Sequence, residues 1–217
     1  MKLYGYYRSS ASYRIRIALN YKGIDWEYVS VRLDKGEQCE PGYLAKNPMG
    51  LVPLLDTGDV QLIESAAIAE HLELLCPEPA MYPADPVERA RVREMQHLIG
   101  SGIQPITNLR VLQHLRSEFG LDEDGVNSWC QKWIARGFGA FEKLAEKRSA
   151  DGRFSFGHSL SYADAWLLPQ YYNAGRFGLD TGEFPLINSI VEHCLSIETV
   201  AAAHPSRQPD APTESAC

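Results

Sequence analysis

Leu3-Tyr4-Gly5-Tyr6-Tyr7, then Arg8-Ser9-Ser10, then Ala11-Ser12-Tyr13-Arg14-Ile15-Arg16-Ile17-Ala18-Leu19-Asn20-Tyr21-Lys22-Gly23 follow one another near the start of the chain. The first piece is aromatic and aliphatic and reads as a short strand. The third places Ala11, Ile15, Ala18 and Leu19 at helical spacing. Ser9 or Ser10 caps the helix, because a serine hydroxyl accepts from an otherwise unpaired first-turn amide. Gly23 supplies the left-handed residue wanted at its end. Trp26–Leu33 alternates as a second strand. A strand, helix and strand within about thirty residues have the length of a right-handed parallel crossover.

Outward from this unit, residues 34–50 are polar and interrupted by Gly36, Pro41, Gly42, Pro48 and Gly50, an irregular connection. Leu51–Asp56 is apolar, and Pro53 inside it cannot donate to a ladder, so a strand begins or bulges there or forms an edge. Thr57-Gly58-Asp59 turns into a second short strand, Val60–Ile63, completing a hairpin. Glu64-Ser65 opens a helix over Ala66–Leu75, closed by Cys76-Pro77-Glu78-Pro79. Pro77–Pro86 holds four prolines and reads as a linker. Beyond it Val87–Ile99, Pro105–Glu118, Gly125–Arg148, Ala163–Tyr172 and Ile187–Ala203 show helical periodicity. Ser161-x-x-Asp164 resembles a capping box with Asp in the usual Glu place. The organisation expected is an α/β domain over 1–80, an all-helical domain over 88–204 and an irregular tail over 205–217.

The chain has 217 residues and a formal net charge of −7, which disfavours nucleic acid as a bulk partner. No apolar run is long enough for a membrane span, and Met1–Arg8 is too polar for a signal peptide. Five cysteines are scattered without a Cys-x-x-Cys, which fits a reducing, cytoplasmic setting and argues against a disulfide frame or structural zinc. The six histidines show no metal-ligand spacing, so no metal is expected. Residues 1–32 nevertheless carry six basic and two acidic side chains, a local excess of four positive charges. That excess suggests either a local anion site or a solvated helix face.

Four constellations carry chemistry. Arg8-Ser9-Ser10-Ala11-Ser12-Tyr13-Arg14 sits where a strand feeds a helix N-terminus, and free amides, the helix dipole and serine hydroxyls there favour an anion. Helix capping by a single serine is the plainer reading. In Asn47-Pro48-Met49-Gly50-Leu51-Val52-Pro53, a cis Val52–Pro53 bond would leave the Val52 amide and carbonyl facing outward to pair with a peptide-like ligand, although trans is the commoner form. At Glu64-Ser65, a hydroxyl with free amides can hold a carboxylate while the Glu takes an ammonium, together an amino-acid end. Arg8, Arg110 and Arg176 would suit a dicarboxylate if they converged, and surface arginines are the alternative.

These pieces in this order resemble the glutathione S-transferase superfamily. Ser9–Leu19, Asn47–Pro53, Gly102-Ile103-Gln104-Pro105-Ile106-Thr107-Asn108-Leu109-Arg110, Leu168-Pro169-Gln170 and His204-Pro205-Ser206-Arg207-Gln208-Pro209-Asp210 look like its zeta class. The resemblance implies a thioredoxin-like α/β N-terminal domain followed by an all-α C-terminal domain, a homodimer, and glutathione as cofactor. It implies isomerisation of maleylacetoacetate, or of the similar maleylpyruvate, in aromatic ring degradation. Ser9, with Ser10 and Ala11 in the same motif, would assist the glutathione thiolate. Gln38 would contact the glycine end, the Val52 backbone the cysteinyl unit, and Glu64 and Ser65 the γ-glutamyl end. Gln104, Asn108 and Arg110 would line the site from the helical domain, and Arg8, Arg110 and Arg176 would hold substrate carboxylates.

Two positions depart from the family pattern. Ala11 stands where cysteine is usual, so a mechanism needing that thiol is excluded. Glu64 replaces a common glutamine and adds a charge near the γ-glutamyl carboxylate. A free thiol with pKa about 8.5 is only about 3% thiolate at pH 7, and lowering it by ~2 units supplies roughly 2.7 kcal/mol. Hydroxyl donors and a helix N-terminus suit that task, and Arg8 would stabilise the enolate formed on thiolate addition. A transferase or dehalogenase of small α-haloacids, and a non-catalytic glutathione-binding protein, are the alternatives on the same fold.

Overall fold

The computed structural model describes residues 1–212. They form two compact units, one of Met1–Ala80 with the segment from Ile197 onward, the other of Met81–Ser196.

The first unit begins with β1 (Lys2–Gly5), α1 (Ser10–Tyr21), β2 (Glu27–Ser30), α2 (Pro41–Leu44), β3 (Leu54–Asp56), β4 (Gln61–Ile63) and α3 (Ser65–Leu75). The sheet runs β2-β1-β3-β4. β1 and β2 are parallel with Leu3 opposite Tyr28, as the crossover requires, and β3 is antiparallel to both β1 and β4. Leu3, Leu54 and Leu55 from the sheet, Ile15, Ile17 and Leu19 from α1, and Ile68 and Leu72 from α3 are fully buried. This apolar layer drives the assembly, and α1 packs beside α3. Gly5 permits close approach, since a Cβ there would stand 3.2 Å from Ser12 Oγ. The sheet is the expected mixed one, with shorter strands: β1 stops at Gly5, because the Tyr6 carbonyl turns to accept the Ser9 amide at 3.0 Å. The Val52–Pro53 bond is cis, and β3 starts at the next residue.

The second unit is helical: α4 (Pro86–Gly100), α5 (Leu109–Phe119), α6 (Glu123–Arg148), α7 (Tyr162–Arg176) and α8 (Pro185–Ser196). Val92, Met95 and Ile99 of α4, Ile134, Phe138 and Phe141 of α6, and Trp166 and Leu167 of α7 form its core. The helix expected over Pro105–Glu118 is divided. Gln104–Thr107 is a 3-10 turn, and Asn108 caps α5 by accepting the Arg110 amide at 3.3 Å, as Asn favours caps over helix interiors.

The C-terminal segment departs most from expectation. Instead of one helix to Ala203 and an irregular tail, α8 ends at Ser196, α9 spans Glu198–Ala201, and Pro205–Arg207 forms a 3-10 turn. The chain from Ile197 onward, α9 included, groups with the first unit, because buried Arg16 donates to the Ala203 carbonyl at 3.0 Å and Asp210 accepts from β2 side chains. Residues 213–217 of the expected tail lie outside the described residues. No helix among the described residues is long and apolar enough to cross a membrane.

Candidate functional site

The turn from β1 into α1 holds Arg8, Ser9, Ser10 and Ala11. Ser9 has extended backbone and is the N-cap of α1; its Oγ accepts the Ser12 amide at 3.2 Å. Capping is therefore real, yet it uses only a lone pair, and half-buried Ser9 keeps its hydroxyl proton for an anion near the positive helix end. Ser10 is buried as the first residue of α1, Ala11 half-buried, and Arg8 exposed with its guanidinium 6.0 Å from the Tyr7 ring centroid. Ser12 differs: it is fully buried against Gly5 and packs helix on strand. The serine cluster thus divides between packing and an outward-facing cap.

Two loops meet beside this turn. The Leu51 carbonyl accepts from the Tyr43 hydroxyl and the Asn47 side-chain amide, both at 2.6 Å, which orders the chain just before Val52. Burial pushes the Tyr43 phenol up to about 12, so it stays a donor at neutral pH. Val52 is buried with Tyr6, Val31 and Tyr43. The β1–β3 ladder ends at Leu54, and among the described residues the Val52 amide and carbonyl enter no backbone hydrogen bond. Gly50 takes a φ of 60°, and a Cβ on it would stand 3.1 Å from the Gln38 carbonyl. That close approach brings the Gln38 loop to the Val52 loop. Gln38 Oε1 is buried with no hydrogen-bond partner among the described residues.

Glu64 precedes α3 with φ 69°, a left-handed conformation that no other described non-glycine residue adopts. Such strain costs on the order of 1–3 kcal/mol and collects at ligand sites. Ser65, the first residue of α3, is buried and accepts from Arg14 Nη1 at 3.2 Å. Arg14 is itself buried; desolvation lowers its guanidinium to about 9, with the Glu64 charge opposing the shift. A cation thus lies behind Ser65, and a carboxylate at the α3 N-terminus would meet a hydroxyl, a helix dipole and a guanidinium field. Arg14 was not among the expected site residues. It stands in the Arg8–Arg14 stretch and in the local positive excess, but nothing in the spacing shows which cation turns inward.

In the second unit, Gln104 opens the 3-10 turn, Asn108 caps α5, and Arg110 is exposed in its first turn. Arg176 ends α7, is exposed, and donates to Asn173 Oδ1 at 2.9 Å. Arg110 and Arg176 therefore sit on separate helices.

An α1 cap beside a cis-proline strand, on a β2-β1-β3-β4 sheet ahead of a helical unit, defines the glutathione transferase class. Residues 3–80 match the family model for the glutathione S-transferase N-terminal domain. Over the whole length, the chain is 45% identical to a maleylpyruvate isomerase of Ralstonia sp., with 97% of this chain and 99% of that protein aligned. A holo structure of maleylpyruvate isomerase, described as a bacterial zeta-class glutathione S-transferase, superposes with TM-score 0.96 at 45% identity, covering 98% of this chain and 100% of that one. The maleylacetoacetate isomerase of Methylobacterium extorquens AM1, solved with bound malonate and GSH, gives TM-score 0.93 at 37% identity, covering 98% and 100%. The chain belongs to the zeta class of the glutathione S-transferases, among the maleylpyruvate and maleylacetoacetate isomerases.

Proposed function

We propose that this protein is a glutathione-dependent isomerase that converts the cis double bond of maleylacetoacetate, or of the similar maleylpyruvate, to trans. The observation that carries the reading is the α1 N-terminus, where Ser9 caps the helix and keeps its own proton to donate. The residues present suit glutathione. Ser65, backed by Arg14, would hold its γ-glutamyl carboxylate, and Glu64 its ammonium. The unpaired Val52 backbone would hold its peptide, and Gln38, whose buried Oε1 is ready to accept an N–H, would hold its glycine end.

When bound, glutathione would supply a nucleophilic thiolate, whose reversible addition to the conjugated cis double bond would allow rotation to trans. Ser9 donates its hydroxyl proton toward the sulfur and, with the dipole of α1, holds the thiol ionised near pH 7. Ser10 and Ala11 shape the same turn, and with alanine there no protein thiol takes part. Arg8 offers positive charge where the substrate carbonyl oxygen gains electron density. Arg110 and Arg176 are assigned to the substrate carboxylates, and Gln104 and Asn108 to the lining. The malonate-bound relative, holding a small dicarboxylate, is consistent with that assignment. The names of the relatives favour isomerisation over haloacid dehalogenation or a binding-only role.

We further read the protein as a cytoplasmic homodimer. The free thiols Cys39, Cys76, Cys130 and Cys194 support a reducing compartment. The deciding assay follows isomerisation of both substrates with and without glutathione. Turnover of at least one, strictly dependent on glutathione and without its consumption, is expected; turnover indifferent to glutathione would overturn the reading.

A further inference from the structure

The chain segment from Ala203 to Asp210 reaches the turn that carries Ser9. Asp210 Oδ2 accepts the Tyr7 amide at 3.1 Å, the Tyr28 hydroxyl at 3.1 Å and the Ser30 hydroxyl at 3.0 Å. The Tyr7 carbonyl, on the other side of the same residue, accepts Arg16 Nη2 at 2.9 Å, and the Tyr6 carbonyl accepts Arg16 Nη1 at 3.4 Å. Arg16 is fully buried and its Nε donates to the Ala203 carbonyl at 3.0 Å. The Tyr6 carbonyl also receives the Ser9 amide at 3.0 Å. The segment is braced in turn by Gln208, whose side-chain amide donates to the Ala202 and His204 carbonyls at 3.0 and 2.9 Å.

Tyr7 is thus gripped at its amide by Asp210 and at its carbonyl by Arg16, and both grips lead back to residues 203–210. The two charges also favour each other, since the Asp210 carboxylate opposes the desolvation of Arg16. We propose that the segment 203–210 is a clamp on the β1–α1 turn, with Asp210 and Arg16 as positioning residues that hold Ser9 in donating geometry toward the sulfur. The proposal rests on the glutathione-dependent reading above. The hydrogen bonds of both residues go to the protein itself, Asp210 to Tyr7, Tyr28 and Ser30 and Arg16 to the Tyr6, Tyr7 and Ala203 carbonyls. Their effect passes through the angle of one peptide, to which a hydroxyl donor is sensitive because hydrogen bonds weaken steeply off line.

The test is Asp210→Ala, read by the ultraviolet absorbance of enzyme-bound glutathione thiolate across pH and by calorimetric binding of S-methylglutathione. The bound thiol pKa is expected to rise by about one unit, a tenfold loss of thiolate at pH below it. Binding of S-methylglutathione should change by less than about twofold, because Gln38, Val52, Glu64 and Ser65 are untouched. Asp210→Asn, which keeps an acceptor for the Tyr7 amide, should recover most of the shift. A general structural defect would weaken S-methylglutathione binding without this pattern. Should Asp210→Ala fail to fold, the double variant Tyr28→Phe with Ser30→Ala removes two of the three donors that fix Asp210 and should raise the thiol pKa in the same direction. A thiol pKa unchanged in the folded variant overturns the clamp. A wild-type protein that shows no bound thiolate at all overturns the underlying reading instead, so the two failures are separable.

Discussion

At the α1 N-terminus Ser9 accepts the Ser12 amide and retains its own proton, so replacing it removes two separate contributions. Ser9→Ala should lower stability by about 1 kcal/mol through the lost cap, a shift of about 2–4 °C in the thermal midpoint for a chain of this size. It should lower kcat much more, on the order of 10- to 100-fold, as expected for one hydrogen bond to a charged group. Calorimetry and steady-state kinetics on the same sample check both numbers. A loss of stability with unchanged kcat would reduce Ser9 to a cap. Buried Ser10 and inward Ser12 are poorly placed to substitute. The turn and a serine cap, at Ser9 or Ser10, were legible in the sequence. Which serine faces outward was not, because that depends on the packing of α1 on Gly5.

At the scale of elements, the start of α7 was the most legible feature of the second unit. Ser161 and Asp164 form the expected reciprocal box: Asp164 accepts the Ser161 amide at 2.8 Å, and the Ser161 hydroxyl accepts the Ala163 amide at 3.2 Å. Asp164 does more than its motif requires, since its second oxygen accepts the Ser155 amide at 2.7 Å and anchors the preceding loop. Burial pushes the Asp164 carboxyl up, and the Ser155 and Ser161 hydrogen bonds oppose that shift. Asp164→Ala leaves two buried amides without their acceptor, at about 1–3 kcal/mol each. A loss of roughly 3 kcal/mol or more is expected in urea unfolding, while Asp164→Asn, retaining one acceptor, should lose less. Elements shaped by distant partners were less legible. The split between α8 and α9 follows from where residues beyond Ile197 pack, which periodicity does not report.

For the molecule as a whole, His204 ties pH to stability. Burial, helped by the charges of Arg16 and Arg207, holds its imidazole below the ordinary value of 6.5. The unfolded chain therefore takes up this proton first as pH falls, so the unfolded state binds more protons below about pH 6.5. Stability should decline as pH drops through that value, until the folded imidazole also protonates. His204→Gln should flatten this part of the curve, measured as urea midpoints from pH 7 downward; an unchanged slope would assign the decline to other groups.

Sequence alone determined the strand–helix–strand order, a break in the strand pattern at Pro53, the linker with the change to helices beyond it, and the box at Ser161. Each is a local pattern, set by side-chain period or turn chemistry within a few residues. Tertiary structure decided the fate of the cationic N-terminus, which proved to be neither a simple anion patch nor a solvated face. Lys22 is buried in an ion pair with Glu73 at 2.8 Å, Arg14 backs Ser65, and Arg16 meets Ala203. Buried charges are tolerated only when paired and hydrogen-bonded, and these partners stand 51 and 187 residues away for Arg14 and Arg16. No local window contains such a pairing, so the folded chain alone reveals which cations solvate and which hold the site together.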